Sequence, residues 1–265
     1  MGKKLLLVWI LLTNILLAKD YALIIGIWDY SSAEKFSNIN REIVMNDISI
    51  YKRILSDWKI GDVTTIENGT KNKIIDELEK ISKKKDIDSF YMFFTGHGLS
   101  YKNKHYENMK TLKSILKNSG AIVPFGHKKD EPDTLIIGCR DLKPLLIEID
   151  KKAKKGLIMF DACYSEKSSR DNTTKKRINL SKTTLCSDKD KGYPYKKLVY
   201  ISSSSLKAEL GTVSKGLKRC LSKENDKNKD HTLSKNAIEE CINQNPALKA
   251  QRASVFPHSG DLSVF

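Results

Sequence analysis

Short apolar runs alternate with amphipathic stretches along most of the chain. The apolar runs predict strands at 21–27, 89–95, 156–160 and 197–202, with a shorter strand at 63–67. Apolar residues that recur every three or four positions predict helices over 43–55, 73–81, 141–152, 214–221 and 233–243. Strands that alternate with helices in this way predict an α/β fold whose sheet is covered by helices on both faces.

Two segments lack this periodicity. Residues 100–133 show little of it apart from 109–116, and we expect a long insertion or lid there. Residues 165–197 contain ten Lys or Arg residues against four Asp or Glu residues, with Ser, Thr and Asn between them. This composition predicts a solvated loop.

The N-terminal segment has the pattern of a signal peptide. Two lysines precede an apolar run over 5–18, which is shorter than the roughly 20 apolar residues that a membrane-spanning helix needs. We therefore predict a signal peptide over 1–18, cleaved near Ala18, and one domain over 19–265. Leu16 is not a small residue, so an uncleaved N-terminal anchor is the alternative. Both forms predict an exported protein, periplasmic or secreted, and cleavage leaves no membrane span.

The chain of 265 residues carries 47 Lys or Arg residues and 32 Asp or Glu residues, a net charge of +15. Such an excess is typical of proteins that bind nucleic acid or an anionic membrane surface. An exported protein does not ordinarily meet nucleic acid, so we do not expect that partner. Since no amphipathic seam stands out, the sequence predicts no oligomeric state.

The five cysteines, at 139, 163, 186, 220 and 241, form no CxxC pair and show no zinc spacing. We therefore predict no metal and no cofactor. In an oxidising compartment an odd number of cysteines leaves one thiol over, and the other four can pair in three ways. Which cysteine stays unpaired decides whether a reactive thiol is present.

Two strand ends carry residues suited to nucleophilic catalysis. FYMFF leads into Thr95-Gly96-His97-Gly98, and GLIMF leads into Asp161-Ala162-Cys163. Working residues of open α/β sheets lie beyond the carboxyl ends of the strands. A neighbouring imidazole favours the thiolate and later protonates the leaving amine. The backbone N–H groups of Gly98 and Cys163 are candidates to bind the developing oxyanion.

Each of these residues also has an ordinary structural interpretation. A single buried cysteine is usually a small apolar residue, and a single histidine at a strand end is usually a hydrogen-bonded polar residue. His97 and Cys163 each follow an apolar strand, and this joint placement favours the catalytic interpretation.

The segments FFTGHG and FDACYS resemble the histidine and cysteine motifs of the caspase-like cysteine peptidases, in the metacaspase or bacterial orthocaspase branch. YALIIGIWDY, the Asn46-Asp47 pair, GAIVPF and SSSSLKAELG are similar to further segments of that family. The resemblance implies a caspase-like, mostly parallel sheet flanked by helices. It also implies a catalytic dyad of His97 as acid and base and Cys163 as nucleophile.

The resemblance further implies a substrate pocket lined by Asp47 and Asp161, with Thr95 at its wall. Two carboxylates in a partly desolvated pocket attract a cation and repel an aspartate. We therefore expect a protein or peptide substrate with Arg or Lys before the cut. For Asp47 the alternative is an exposed helix residue or a cap, and for Asp161 it is a strand-end turn residue.

The chain departs from the family pattern after the cysteine motif. Glu166 stands where the family commonly has glycine, and Glu is less permissive of a sharp bend. A catalytically inactive caspase-fold module, which uses its basic surface to hold an anionic or protein partner, is therefore the alternative function. The segment after the cysteine is basic and lacks the oxygen ligands that calcium favours, so calcium dependence is not predicted.

The loop over 165–197 is also a candidate for self-processing. It is polar, lacks periodicity and contains Arg170, Lys175, Lys176 and Arg177, residues that an acidic pocket accepts. The remaining histidines, His127 among them, lie in polar sequence and are predicted to be solvated surface residues.

Overall fold

The computed structural model describes residues 19–33, 36–99, 116, 120–128, 131–164, 194–202, 211–226, 231–250, 253–257 and 259–265. At positions 163, 164, 212 and 254 it describes the backbone alone. The predicted signal peptide over 1–18, Glu166 and the candidate self-cleavage sites at 170–177 therefore lie outside the described residues.

Within the described residues, eight strands form one sheet. They are β1 (Asp20–Gly26), β2 (Asp62–Glu67), β3 (Ile87–Leu99), β4 (Ala121–Ile122), β5 (Ile136–Ile137), β6 (Ala153–Tyr164), β7 (Leu198–Ser202) and β8 (Ser254–Phe256). The main path runs β2-β1-β3-β6-β7-β8, and its neighbours are parallel except for β7 and β8. β4 pairs antiparallel with the end of β3, and β5 pairs antiparallel with β4.

The α-helices are α1 (Arg41–Asp57), α2 (Lys71–Ser82), α3 (Lys143–Lys152), α4 (Thr212–Cys220), α5 (Lys235–Gln244) and α6 (Pro246–Ala250). Right-handed crossovers place α1 on one face of the sheet and α2 and α3 on the other. α4 packs against α1. The predicted mostly parallel sheet with helices on both faces is confirmed. Among the described residues, no helix is long and apolar enough to cross a membrane.

The strands differ from the sequence prediction in two respects. β3 and β6 contain 13 and 12 residues, so His97 and Cys163 lie within strands and not in the loops after them. β4, β5 and β8 were not predicted, because a strand of two or three residues is too short to show a periodic pattern.

Helix α1 carries the polar residue that matters most for the site. Asn40 caps the helix, since its side-chain oxygen accepts a hydrogen bond from the Glu42 N–H at 2.8 Å. Apolar residues recur every three or four positions along one face, which is buried against the sheet. Asp47 lies on that apolar face and is itself fully buried.

The last residues of the chain pack into the core. The ring of Phe265 stacks between Trp58 and Tyr91, with a centroid separation of 4.8 Å to each. The Tyr91 hydroxyl donates a hydrogen bond to the Val264 carbonyl at 2.9 Å. These contacts join residues 264–265 to the residue that follows α1 and to β3.

Two of the disulfide-bonded cysteines have partners that the structure describes. Cys220, the last residue of α4, is bonded to Cys241 in α5, with a Cα–Cα distance of 5.5 Å. Cys139, two residues beyond β5, is disulfide-bonded as well. The sequence left open both which cysteine is unpaired and how the other four pair, and the bond between α4 and α5 determines one pair.

A steric constraint at the centre of the sheet gives a stability prediction. Gly156 in β6 pairs with Phe90 in β3, and a Cβ atom at Gly156 would lie 2.0 Å from the Phe90 carbonyl oxygen. Because backbone atoms cannot give way easily, we expect Gly156→Ala to lower the free energy of unfolding by about 3 kcal/mol in urea titrations.

Gly61→Ala is the matched control. A Cβ atom at Gly61 meets no other atom within 4 Å, so this variant should change the free energy of unfolding by less than about 0.5 kcal/mol. Equal stability of the two variants would contradict the tight β3–β6 packing.

Candidate active site

The pairing of β3 with β6 brings the two predicted catalytic positions together. In this parallel register His97 is opposite Cys163, and Thr95 is opposite Asp161. Neighbouring strands lie about 4.8 Å apart, so each pair consists of adjacent backbone positions. Gly98 follows His97 in the same register, opposite Tyr164.

The imidazole of His97 is held in an aromatic pocket. Its ring centroid lies 4.5 Å from that of Tyr30 and 5.3 Å from that of Phe36, and the residue is only 8% exposed. Nε2 lies 2.9 Å from the Ser37 carbonyl oxygen. A carbonyl oxygen only accepts hydrogen bonds, so Nε2 carries the proton in the neutral ring and Nδ1 carries the lone pair.

The other ring nitrogen of His97 is the one that can act as a base. Nδ1 is buried and has no hydrogen-bond partner among the residues that the structure describes. Burial lowers the pKa of His97 below its ordinary value, and the hydrogen bond to Ser37 opposes this only in part. The ring is therefore neutral at pH 7 and can accept a proton at Nδ1.

Tyr30 fixes the backbone at His97. The His97 N–H donates a hydrogen bond to the Tyr30 hydroxyl at 2.7 Å, and the Tyr30 N–H donates to the Asn38 side-chain oxygen at 2.6 Å. A Cβ atom at Gly96 would lie 2.7 Å from the same hydroxyl. Gly96 therefore makes room for Tyr30.

A second polar cluster lies beside this pair, between the sheet and helices α1 and α4. Asp47 accepts one hydrogen bond from the Thr95 hydroxyl at 2.9 Å and another from the Ser214 hydroxyl at 2.5 Å. Asp47, Thr95, Ser214 and Asp161 each have no exposed area. The three predicted pocket residues are thus brought together, and the exposed-helix alternative for Asp47 is wrong.

The burial of Asp47 changes its titration. Desolvation raises the pKa of this carboxyl group above its ordinary value. The hydrogen bonds from Ser214 and Thr95 act in the opposite direction and are outweighed. A carboxylate in this position is stabilised when a cation approaches it, since the cation replaces the lost hydration.

Sequence reasoning missed several residues of this region. The contact from Ser37 uses a backbone carbonyl, which any residue could supply, so no sequence signal marks it. Tyr30 and Ser214 act through side-chain hydroxyls whose partners are distant in the chain. Within the part of the chain that the structure describes, no three His, Cys, Asp or Glu residues cluster in a way that could hold a metal ion.

The family model of the caspase domain matches residues 19–239. The chain belongs to the caspase-domain family. The domain is therefore that of a cysteine peptidase, a hydrolase that acts on proteins or peptides. A search of curated proteins found no match.

The position of His127 in this caspase domain differs from the sequence prediction. It is fully buried, not a solvated surface residue, and its ring packs edge-on against Phe36 at 6.4 Å. The Thr134 hydroxyl donates to the Glu131 carbonyl at 2.5 Å, so it accepts a hydrogen bond from His127 Nδ1 at 2.6 Å. Burial lowers the pKa of His127 to about 4.

This burial predicts a loss of stability in mild acid. Between pH 6.5 and pH 4 an unfolded histidine binds a proton that His127 in the folded domain does not, so acid favours unfolding. We expect His127 to account for about 2 kcal/mol of the stability lost between pH 7 and pH 5, measured by urea unfolding. His127→Gln keeps a donor for Thr134, and its free energy of unfolding should fall about 2 kcal/mol less than that of the wild type between pH 7 and pH 5. Equal losses in the two proteins would contradict a pKa of about 4 for His127.

Proposed function

We propose that this caspase domain is an exported cysteine endopeptidase of the metacaspase-like branch that cuts after Arg or Lys. The observation that carries the proposal is the β3–β6 register, which sets His97 opposite Cys163 and Thr95 opposite Asp161. The nucleophile and base positions are thus adjacent to the buried polar cluster that contains Asp47 and Asp161, which we call the acidic cluster. Export rests on the pattern of residues 1–18, and nucleic acid is not an expected partner.

The chemistry follows from the state of His97. Nδ1 takes the proton of the Cys163 thiol, and the sulfur attacks the carbonyl carbon of the substrate. The backbone N–H groups of Gly98 and Cys163 are assigned to the oxyanion. When the C–N bond breaks, Nδ1–H protonates the leaving amine. Water, deprotonated by the same nitrogen, then hydrolyses the thioester and releases the acid and the free thiol.

The disulfide arrangement supports a free thiol at Cys163. Cys220 and Cys241 are bonded to each other, so the partner of Cys139 is Cys163 or Cys186. Cys139 follows β5, which is separated from β6 by β4 and β3, a distance of about 14 Å across three strand spacings. A disulfide requires Cα atoms within about 7 Å. This geometry disfavours a bond between Cys139 and Cys163.

The acidic cluster supports the preference for a basic side chain. Asp47 and Asp161 are both fully buried, and the charge of each affects the same tyrosine, Tyr51. Two carboxylates at one buried place repel each other, and a guanidinium or ammonium group relieves that repulsion. An aspartate side chain would add a third negative charge, so cleavage after Asp is disfavoured.

Self-processing is part of the same proposal. The candidate cleavage sites lie outside the described residues; they are Arg170, Lys175, Lys176 and Arg177. The basic, polar composition of the loop supports their role as cleavage sites. A peptidase that accepts basic residues has its own substrate sequence in this segment.

The proposal is tested by peptide hydrolysis. The wild-type enzyme should cleave short reporters that end in Arg or Lys, and Cys163→Ala should reduce kcat/KM at least roughly 1,000-fold, because the nucleophile is lost. An unchanged melting temperature would show that the variant is folded. Hydrolysis that persists in folded Cys163→Ala, or a folded wild-type enzyme inert to a broad peptide library, would refute the proposal.

A second variant tests the role of the acidic cluster. Asp47→Asn removes one buried charge and should lower kcat/KM for Arg reporters about 100-fold, which corresponds to roughly 3 kcal/mol of lost pairing. Asp57→Asn, at the exposed end of the same helix, is the control and should leave kcat/KM unchanged. Equal kcat/KM values in the two variants would exclude Asp47 from substrate binding.

A further inference from the structure

A tyrosine lies directly beneath the acidic cluster. Tyr51 follows Asp47 by four residues on α1, so the two side chains occupy successive turns of one helix face. Asp47 contacts Thr95 of β3, whereas Tyr51 stacks on Phe93 of the same strand with centroids 4.7 Å apart. Thr95 and Phe93 are two residues apart and share a face of β3. Tyr51 therefore lies one layer deeper than Asp47, away from the carboxyl edge of the sheet.

Among the described residues, the hydroxyl group of Tyr51 is buried without a hydrogen bond. The residue has no exposed area, and its oxygen finds no partner among the residues that the structure describes. Buried hydroxyl groups nearly always have a partner, because an unmade hydrogen bond in the interior costs free energy. A phenylalanine here would fill the same space without that cost, so the hydroxyl is explained if a ligand satisfies it.

The hydroxyl is within electrostatic range of both carboxylates. Desolvation raises the pKa of Tyr51 most, and the negative charges of Asp161 and Asp47 raise it further. The phenol therefore stays protonated and can both donate and accept a hydrogen bond. It adds a neutral polar group to a cluster that otherwise presents two carboxylates and two hydroxyls.

We propose that the Tyr51 hydroxyl forms the floor of the acidic pocket and accepts a hydrogen bond from the side chain of a substrate arginine. This inference rests on the proposed function. A guanidinium group has five N–H donors in a rigid fork, and two carboxylates that each pair with it bidentately take four of them. It also reaches deeper than the ammonium group of lysine. Tyr51 is therefore a specificity-determining residue that favours Arg over Lys.

Tyr51→Phe tests this assignment, with paired reporters that differ only in Arg or Lys before the cut. We expect kcat/KM for the Arg reporter to fall about tenfold, because one buried N–H donor loses its acceptor. For the Lys reporter we expect a change of less than about twofold, so the Arg-to-Lys ratio falls. The melting temperature should stay the same or rise, because the hydroxyl has no partner among the described residues of the free enzyme.

Tyr91→Phe is the matched control. The Tyr91 hydroxyl is also buried, but it donates a hydrogen bond to the Val264 carbonyl at 2.9 Å. This variant should lower the melting temperature and leave the Arg-to-Lys ratio unchanged.

The outcomes separate the two proposals. An active wild-type enzyme whose Arg-to-Lys ratio is unchanged by Tyr51→Phe would overturn the role of Tyr51 alone. A melting temperature that falls in Tyr51→Phe as far as in Tyr91→Phe would also overturn it, because the hydroxyl would then be structural. A folded wild-type enzyme that cleaves neither reporter would overturn the proposed function, and this inference with it.

Discussion

The parallel pairing of β3 with β6 is the constraint on which the site depends. One register sets His97 opposite Cys163 and Thr95 opposite Asp161, so both halves of the site are fixed by the same backbone hydrogen bonds. Side chains alternate between the faces of a strand, and a slip of one residue would turn every one of them to the other face. The close contact of Gly156 with β3 holds this register near its other end.

Around that register the domain accepts polar groups that a stable core would otherwise exclude. Asp47 interrupts the apolar face of α1 and keeps two hydroxyl donors, yet burial still raises the pKa of its carboxyl group. His97 is buried with one ring nitrogen bound to the Ser37 carbonyl and the other without a hydrogen-bond partner among the described residues. In the proposed function, the side chain of a basic substrate brings a cation to Asp47, and the Cys163 thiol supplies the proton that His97 accepts.

Sequence patterns predicted the architecture, and they drew attention to the candidate site residues, for identifiable reasons. The apolar runs are long enough to predict strands, and the glycine-flanked His97 and the DAC segment before Tyr164 follow two of those runs directly in the sequence. The short strands β4 and β5 carry too few residues for any pattern. The burial of His127 was missed because the residues that follow it in sequence are polar, whereas Phe36, which packs on it, is distant along the chain.

The identity of the reactive thiol is the most direct test that Cys163 acts beside His97 and an acidic pocket. The folded enzyme would be treated with a peptide that ends in Arg and carries a thiol-reactive group, and the labelled cysteine located by mass spectrometry. We expect labelling at Cys163 that is suppressed by an excess of Arg-ending peptide. Labelling at another cysteine, or labelling that an excess of the Arg-ending peptide does not reduce, would contradict the proposed roles of Cys163 and the acidic pocket.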